Sequence, residues 1–228
     1  VRIVSVIQGS EEWDEIRRGV PTASNFGRII TPVKGQLSAS WKTYAIELIA
    51  QELRTIVQPP PTFWMEHGTE HEPYAIAAYE QINKVKTQTV GFAWPDEHTH
   101  YGCSPDRLVG DDGLLEAKCP KPETVIGYHA GGIFPNEYKP QVMGQLLITG
   151  RMWCDFVAYH PELRPFIIRV ERDEEYIANM AVALDDFCER LEAMKDELLT
   201  IYQINEPVIV QLNDDYQPKV YETSEIEL

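Results

Sequence analysis

An α/β chain folded around one mixed sheet is predicted by three features of the sequence. Helix-period and strand-like segments alternate along the chain. Amphipathic stripes mark helices over Ser40–Ile56 and, at greater length, over Asp173–Tyr202. Between them, Tyr101–Pro120 reads as two short strands joined by Asp111-Asp112-Gly113, a turn signal because glycine tolerates positive φ.

From the N-terminus, Arg2–Ile7 is β-branched and extended in character. Ser10 is a plausible cap for a short helix over Glu11–Arg18, with Trp13 and Ile16 facing inward. Gly19 and Pro21 stop it. Thr22 is placed to cap a second short helix whose apolar face holds Phe26, Ile29 and Ile30. The amides of that helix start, the Thr22 and Ser24 hydroxyls and Arg17 would suit a phosphate. Ordinary capping beside a surface arginine is the simpler reading of the same residues, and from them alone the preferred one. Thr31–Ala39 has no periodicity and is expected to be a loop.

The Ser40–Ile56 helix ends before Pro59-Pro60-Pro61. Phe63–Gln81 is helical in pattern, and Pro73 should kink it or lie in its first turn. His67, Glu70, His71 and Glu72 resemble a metal cluster, yet no further ligand follows at zinc-like spacing, and a solvated polar face accounts for them. Lys84–Ala93 contains a strand. Lys121–Gly132 is an irregular or short helical crossover, and Glu137–Thr149 a helix closed by Gly150. Cys154–Tyr159 and Phe166–Val170 are further strands, and Val208–Leu212 a possible last one.

The composition narrows the function classes. A formal charge of −16, from 20 Lys plus Arg against 36 Asp plus Glu, argues against a general nucleic-acid binder with a basic stripe. Cys103, Cys119, Cys154 and Cys188 match no zinc or redox spacing and read as buried thiols in a reducing compartment. With no signal-like run near the start and no apolar stretch of roughly 18 residues, a soluble intracellular protein is expected.

The chemistry concentrates in the central hairpin. Side chains alternate along a strand, so Glu116 and Lys118 share a face, and the turn folds Asp106 back beside Glu116. Carboxylate oxygens are hard ligands suited to Mg²⁺ or Mn²⁺. A divalent ion can lower the pKa of a bound water and withdraw charge from a phosphodiester, and Lys118 can orient that water or neutralise developing charge. The bland reading of the same three residues is a surface hairpin with an exposed salt bridge. The pattern resembles the core motif of the restriction-endonuclease-like superfamily, an acidic residue followed by Glu-x-Lys.

Four ordered blocks extend the resemblance to most of the chain, roughly residues 8 to 202. They are Gly9-Ser10-Glu11-Glu12-Trp13 through Arg17 with Gly19-Val20 and Thr22-Ala23-Ser24; Gly68 through Glu72; Cys103-Ser104-Pro105-Asp106 with Leu115-Glu116-Ala117-Lys118-Cys119-Pro120; and Tyr138 with Gln141-Val142. Together they resemble the lambda-type, or YqaJ-like, family of viral recombination exonucleases. That resemblance implies a restriction-endonuclease-like core, a central mixed β-sheet flanked by helices, with residues 1–228 as one nuclease domain and 205–228 as a tail or ring-contact extension. It implies a Mg²⁺-dependent exonuclease acting on linear double-stranded DNA from the 5′ end, with two ions per site and Mn²⁺ able to substitute. Asp106, Glu116, the Ala117 carbonyl and Glu72 would serve the metals, Lys118 and Gln141 the chemistry, and Arg17, Thr22 and Ser24 the terminal 5′ phosphate. A homotrimeric ring, a single-strand annealing partner and the cytoplasm of a bacterial host carrying a phage or prophage are implied in the same way. The rivals are a structure-specific or restriction-like endonuclease and a non-catalytic DNA-end-binding scaffold. Where a second glutamine often follows the first after one residue, this chain has Met143, with Gln145 two residues later.

Overall fold

The central hairpin forms as its alternation requires. In the computed structural model, which describes residues 1–53, 60 and 62–204, β4 (Arg107–Val109) and β5 (Gly113–Lys118) pair antiparallel, with Arg107 opposite Leu115. The positive φ of the turn falls on Gly110, at 55°, rather than on Gly113. Gly113 is needed for another reason: it opens β5 under the ring of Trp153, which a Cβ would strike.

Around this hairpin lies a five-stranded sheet in the order β2-β4-β5-β6-β7. Here β2 is Thr87–Gln88, β6 is Trp153–Ala158 and β7 is Phe166–Glu171. β5 and β6 run parallel, so a crossover must join them. It consists of α4 (Pro122–Gly131), a short 3₁₀ turn and α5 (Lys139–Thr149), more regular in its first part than the sequence suggests. Gly132 and Gly150 end these helices in the left-handed conformation that glycine tolerates. The other ladders are antiparallel, making the mixed α/β sheet expected. The single strand expected over Lys84–Ala93 is instead two. Its second part, β3 (Phe92–Trp94), leaves the main sheet to pair with β1 (Arg2–Val4), and Gly91 passes too close to Val4 and Val6 to carry a side chain.

Strand alternation assigns the two faces. Leu115 and Ala117 point to one side, where they pack with Ala75, Ile76 and Tyr79 of α3 (Phe63–Asn83). On the other, Phe156, in register with Glu116, packs with Val125 of α4 and Phe166. Burying each such large apolar side chain contributes about 1.5–3 kcal/mol. Thr62 caps α3 through Met65 N–H. Pro73 lies in its interior, not its first turn, and has no N–H to give the Thr69 carbonyl.

The N-terminal elements pack beside this sheet. Ser10 caps α1 (Glu11–Arg17), as expected. Ala23–Arg28 is a 3₁₀ helix, and Phe26 lies against Gly144 of α5, where a Cβ would strike its ring. α2 (Trp41–Glu52) ends within the described residues, so the expected extension to Ile56 lies outside them.

Two compact units divide the chain at residue 192. The first, Val1–Glu192, holds every element above and the start of α6 (Glu174–Ile204), whose Met180, Leu184 and Phe187 are buried. In that part of α6, the Tyr176 hydroxyl donates to Thr31 O at 3.0 Å. The second unit, Ala193–Leu228, contains the end of α6; the possible strand at Val208–Leu212 and the tail from 205 lie outside the described residues. The four cysteines are buried and form no disulfide among the described residues, and no described helix is long and apolar enough to cross a membrane.

Candidate active site

Proline chemistry opens the site. Continuing the register from Arg107 opposite Leu115 places Asp106 opposite Glu116 and Pro105 opposite Ala117. Pro105 has no N–H, so the β4–β5 ladder stops there. Ala117 N–H instead donates to Asp106 Oδ2 at 2.6 Å. The N–H and C=O of a strand residue face the same neighbour, so the Ala117 carbonyl points into this gap as well. The next carbonyl, Lys118 O, turns the other way and accepts from Tyr159 N at 2.8 Å.

Glu116 is the buried centre of the group, only 1% exposed. Its Oε1 meets Lys118 Nζ at 2.5 Å and Gln141 Nε2 at 2.5 Å. Its Oε2 accepts from Gln145 Nε2 at 2.7 Å. The groups around it are perturbed by burial and by one another. Burial, then repulsion from Glu116, raises the Asp106 pKa well above the usual carboxylate range. Burial also raises Glu72, opposed by the Arg107 guanidinium and reinforced by Glu116. Burial disfavours the Lys118 cation, but Glu116 and Asp106 outweigh it and the pKa of the amine rises.

The expected triad therefore meets where the sequence places it, with Glu116 buried and Asp106 and Lys118 half-buried, rather than as an exposed salt bridge. Glu72 reaches the group from α3, on the opposite side of the sheet from α5. Three acidic residues facing Lys118 make an environment that favours a divalent cation. Among the described residues no three His, Cys, Asp or Glu side chains form a complete metal-binding group. Both oxygens of Glu116 are engaged by nitrogen donors. A cation would draw on carboxylate oxygens of Asp106, Glu116 and Glu72 and on the Ala117 carbonyl in the strand gap, taking the place of a nitrogen donor at Glu116.

Gln145 was not among the residues singled out for the chemistry. Its signal was its place four residues after Gln141, on the same helical face. Met143, at the position where a second glutamine was looked for, is buried in the core at 1% exposure. Gln145 Oε1 is buried without a hydrogen-bond partner, so the side chain is held in place by its bond to Glu116.

A second cluster lies next to Ser104. Trp13 Nε1 donates to Ser104 Oγ at 2.8 Å, and the Arg17 guanidinium stacks 3.6 Å above the Trp13 ring. Burial lowers the Arg17 pKa, and its Nε is buried without a partner. It is thus not the ordinary surface arginine of the simpler reading. The Thr22 and Ser24 hydroxyls lie 3.2 Å apart, and Thr22 also bonds the Tyr44 phenol, which is in electrostatic reach of Arg17. The expected cap is corrected: Thr22 occupies the cap position but makes no side-chain cap bond, because its hydroxyl is turned to Ser24 and Tyr44. His67 and His71 stack at 4.0 Å and join no described metal group.

A mixed sheet with an acidic residue and Glu-x-Lys on adjoining strands defines a nuclease of the restriction-endonuclease-like class. Comparison with known proteins resolves the class further. A model of the YqaJ-like viral recombinase domain matches residues 12–152. An alkaline exonuclease, LHK-Exo from Laribacter hongkongensis, is 36% identical with a TM-score of 0.77, over 86% of this chain and 99% of that one. Its structure in complex with dAMP gives the same identity and TM-score, covering 86% of this chain and 100% of that one. A phage-related exonuclease from Haemophilus somnus 129PT, 15% identical over 82% of this chain and 98% of that one, shares the fold at a TM-score of 0.62. No curated protein is similar enough to match. The chain belongs to the YqaJ-like viral recombinase family.

Proposed function

We propose that this protein is a Mg²⁺-dependent exonuclease that digests one strand of linear duplex DNA from its 5′ end, giving 5′ mononucleotides and a 3′ overhang. The observation that carries the proposal is the meeting of Asp106, Glu116 and Lys118 at the gap left by Pro105. LHK-Exo, 36% identical to this chain, is an alkaline exonuclease, and one of its structures holds dAMP.

Asp106, Glu116 and the Ala117 carbonyl would hold one Mg²⁺ ion, and Glu72 would help hold a second or its waters. Bound there, the ions supply an activated water and stabilise the leaving 3′ oxygen. Lys118 orients the attacking water and offsets charge on the phosphoryl oxygens. Gln141 and Gln145 fix the Glu116 carboxylate. Arg17, with Thr22 and Ser24, takes the terminal 5′ phosphate; each cleavage recreates that end and so sets the direction. A trimeric ring around the DNA would let an acidic chain retain its substrate by topology, and the overhang would pass to a single-strand annealing protein.

The test is time-resolved digestion of a linear duplex with distinct labels at every 5′ and 3′ end, beside a closed circular control. Mg²⁺-dependent release of 5′ nucleotides, with the circle intact, is expected. Cutting of the closed circle would assign the site to an endonuclease. No hydrolysis with Mg²⁺ or Mn²⁺ would leave a DNA-end-binding scaffold.

A further inference from the structure

On the α3 side of β4 an open cavity of about 540 Å³ adjoins the carboxylates and shares Glu72 with them. Its wall carries Arg107 beside the apolar Val6, Ile7 and Val90. The size falls within the range of about 300–1,000 Å³ usual for small-molecule sites. Arg107 directly follows Asp106, and its Nη1 donates to the Asp106 carbonyl at 2.5 Å. No ion pair joins it to a carboxylate among the described residues, although the chain carries 36 acidic side chains against 20 basic ones. The Glu72 carboxylate shares the cavity and is drawn to Arg107 without a direct ion pair; a half-buried guanidinium with unused donors, in a cavity open to solvent, suits an anionic ligand.

Arg17 and Arg107 are held by different neighbours. Arg17 is reached through Trp13 and Ser104. Arg107 projects on the side of Leu115, its cross-strand partner, and hence toward α3. On the exonuclease reading, a strand with its first phosphate at Arg17 and its scissile phosphate at Asp106 and Glu116 would bring its next linkage to the residue that adjoins Asp106, which is Arg107. We propose that this cavity is a nucleotide subsite for the retained strand. Arg107 takes the phosphate between the second and third nucleotides, and Val6, Ile7 and Val90 receive the sugar and base of the second. The inference rests on the exonuclease reading and adds a residue that fixes the downstream strand.

The test is a binding measurement, so it is read without turnover. Fluorescence anisotropy would follow a duplex end on Lys118→Ala protein with Mg²⁺ present, comparing an all-phosphate strand with strands bearing one neutral methylphosphonate. Placed between the second and third nucleotides, the methylphosphonate should weaken binding by about 10- to 100-fold, the scale of one charge-assisted hydrogen bond. In Lys118→Ala with Arg107→Ala the same substitution should cost nothing further. Arg107→Lys should restore part of the penalty, and Thr89→Trp, which narrows the cavity, should weaken binding of every strand. A penalty of equal size with and without Arg107, or one spread evenly over all linkages, overturns the assignment. So does a free 5′ mononucleotide that displaces the duplex only when Arg107 is present, since the cavity would then hold released product. Failure of the exonuclease reading would show separately, as absence of nucleotide release by the intact protein.

Discussion

Gln145 Nε2 donates to Glu116 Oε2 at 2.7 Å, inside a site where the opposite oxygen already meets Lys118 and Gln141. The bond fixes the second carboxylate oxygen, and Gln145, at 1% exposure, is buried beside it. Gln145→Leu keeps the volume and removes the donor. Loss of such an outer partner costs about 10- to 100-fold in metal affinity or activity. The Mg²⁺ concentration giving half-maximal rate should therefore rise, and Mn²⁺ titrated calorimetrically should bind more weakly. An unchanged Mg²⁺ dependence would show that Gln145 merely fills space.

Lys118→Ala separates binding from chemistry. The amine sits 2.5 Å from Glu116 Oε1, and its charge is reinforced by Glu116 and Asp106 despite burial. Removing it should lower turnover by about 10²–10³-fold, the cost of one preorganised charge at a reacting centre. Duplex binding by anisotropy should stay close to that of the intact protein. Full activity in the variant would remove Lys118 from the mechanism.

The hairpin, its facing and the Asp106–Glu116–Lys118 meeting were legible because each depends on local rules: a turn signal, a period of two and one proline. The fate of Lys84–Ala93 was not, since which sheet β3 joins depends on Gly91 passing Val4 and Val6, far away in sequence. Thr22 misled for a similar reason. A threonine before a helix is an ordinary cap, and only the tertiary approach of Tyr44 turns its hydroxyl away. Gln145 lies one helical turn after Gln141, whereas the position two residues after Gln141 is Met143, which packs into the core.

Asp106 makes the metal-free protein less stable as pH rises. Burial and then Glu116 raise its folded pKa above the ordinary carboxylate value, so the fold prefers the protonated form. Stability from this group is present at low pH and is lost as pH rises through the folded pKa. Asp106→Asn keeps an oxygen for Ala117 N–H and removes the charge. Without metal, the variant should melt several degrees above the intact protein on the alkaline side, with the gap closing toward about pH 4. Mn²⁺ binding to the intact protein should release protons, visible as calorimetric heats that depend on the buffer's ionisation enthalpy. A pH-independent difference in melting temperature would refute the account.

Gly144 sets how closely α5 approaches the Phe26 turn. A methyl there would strike the Phe26 ring, and the buried ring has little room to move. Gly144→Ala should destabilise the fold by about 1–3 kcal/mol, as overpacking does. Urea unfolding would show a lower midpoint with an unchanged slope. Because α5 also carries Gln141 and Gln145, nuclease activity should fall below its intact value even where the variant is fully folded. Unaltered stability would mean that the two elements can separate at no cost.

Arg17 stacks on Trp13, with its Nε buried and unpartnered, and the Trp13–Ser104 bond ties this stack to the strand next to Pro105 and Asp106. A guanidinium held this way costs stability unless an anion reaches it. The intact protein should release nucleotides from a 5′-phosphorylated duplex end faster than from a 5′-hydroxyl end. The ratio should be about 10- to 100-fold, the range for hydrogen bonds to a charged group. Arg17→Ala should bring the two rates together mainly by slowing the phosphorylated end, while Arg17→Lys, which keeps charge without the planar fork, should retain part of the difference. The same initial rates, measured over successive nucleotides, test direction as well: a variant that no longer captures each new phosphate should leave the end more often between cleavages. Equal end preference in intact and Arg17→Ala proteins would take the terminal phosphate away from this pocket.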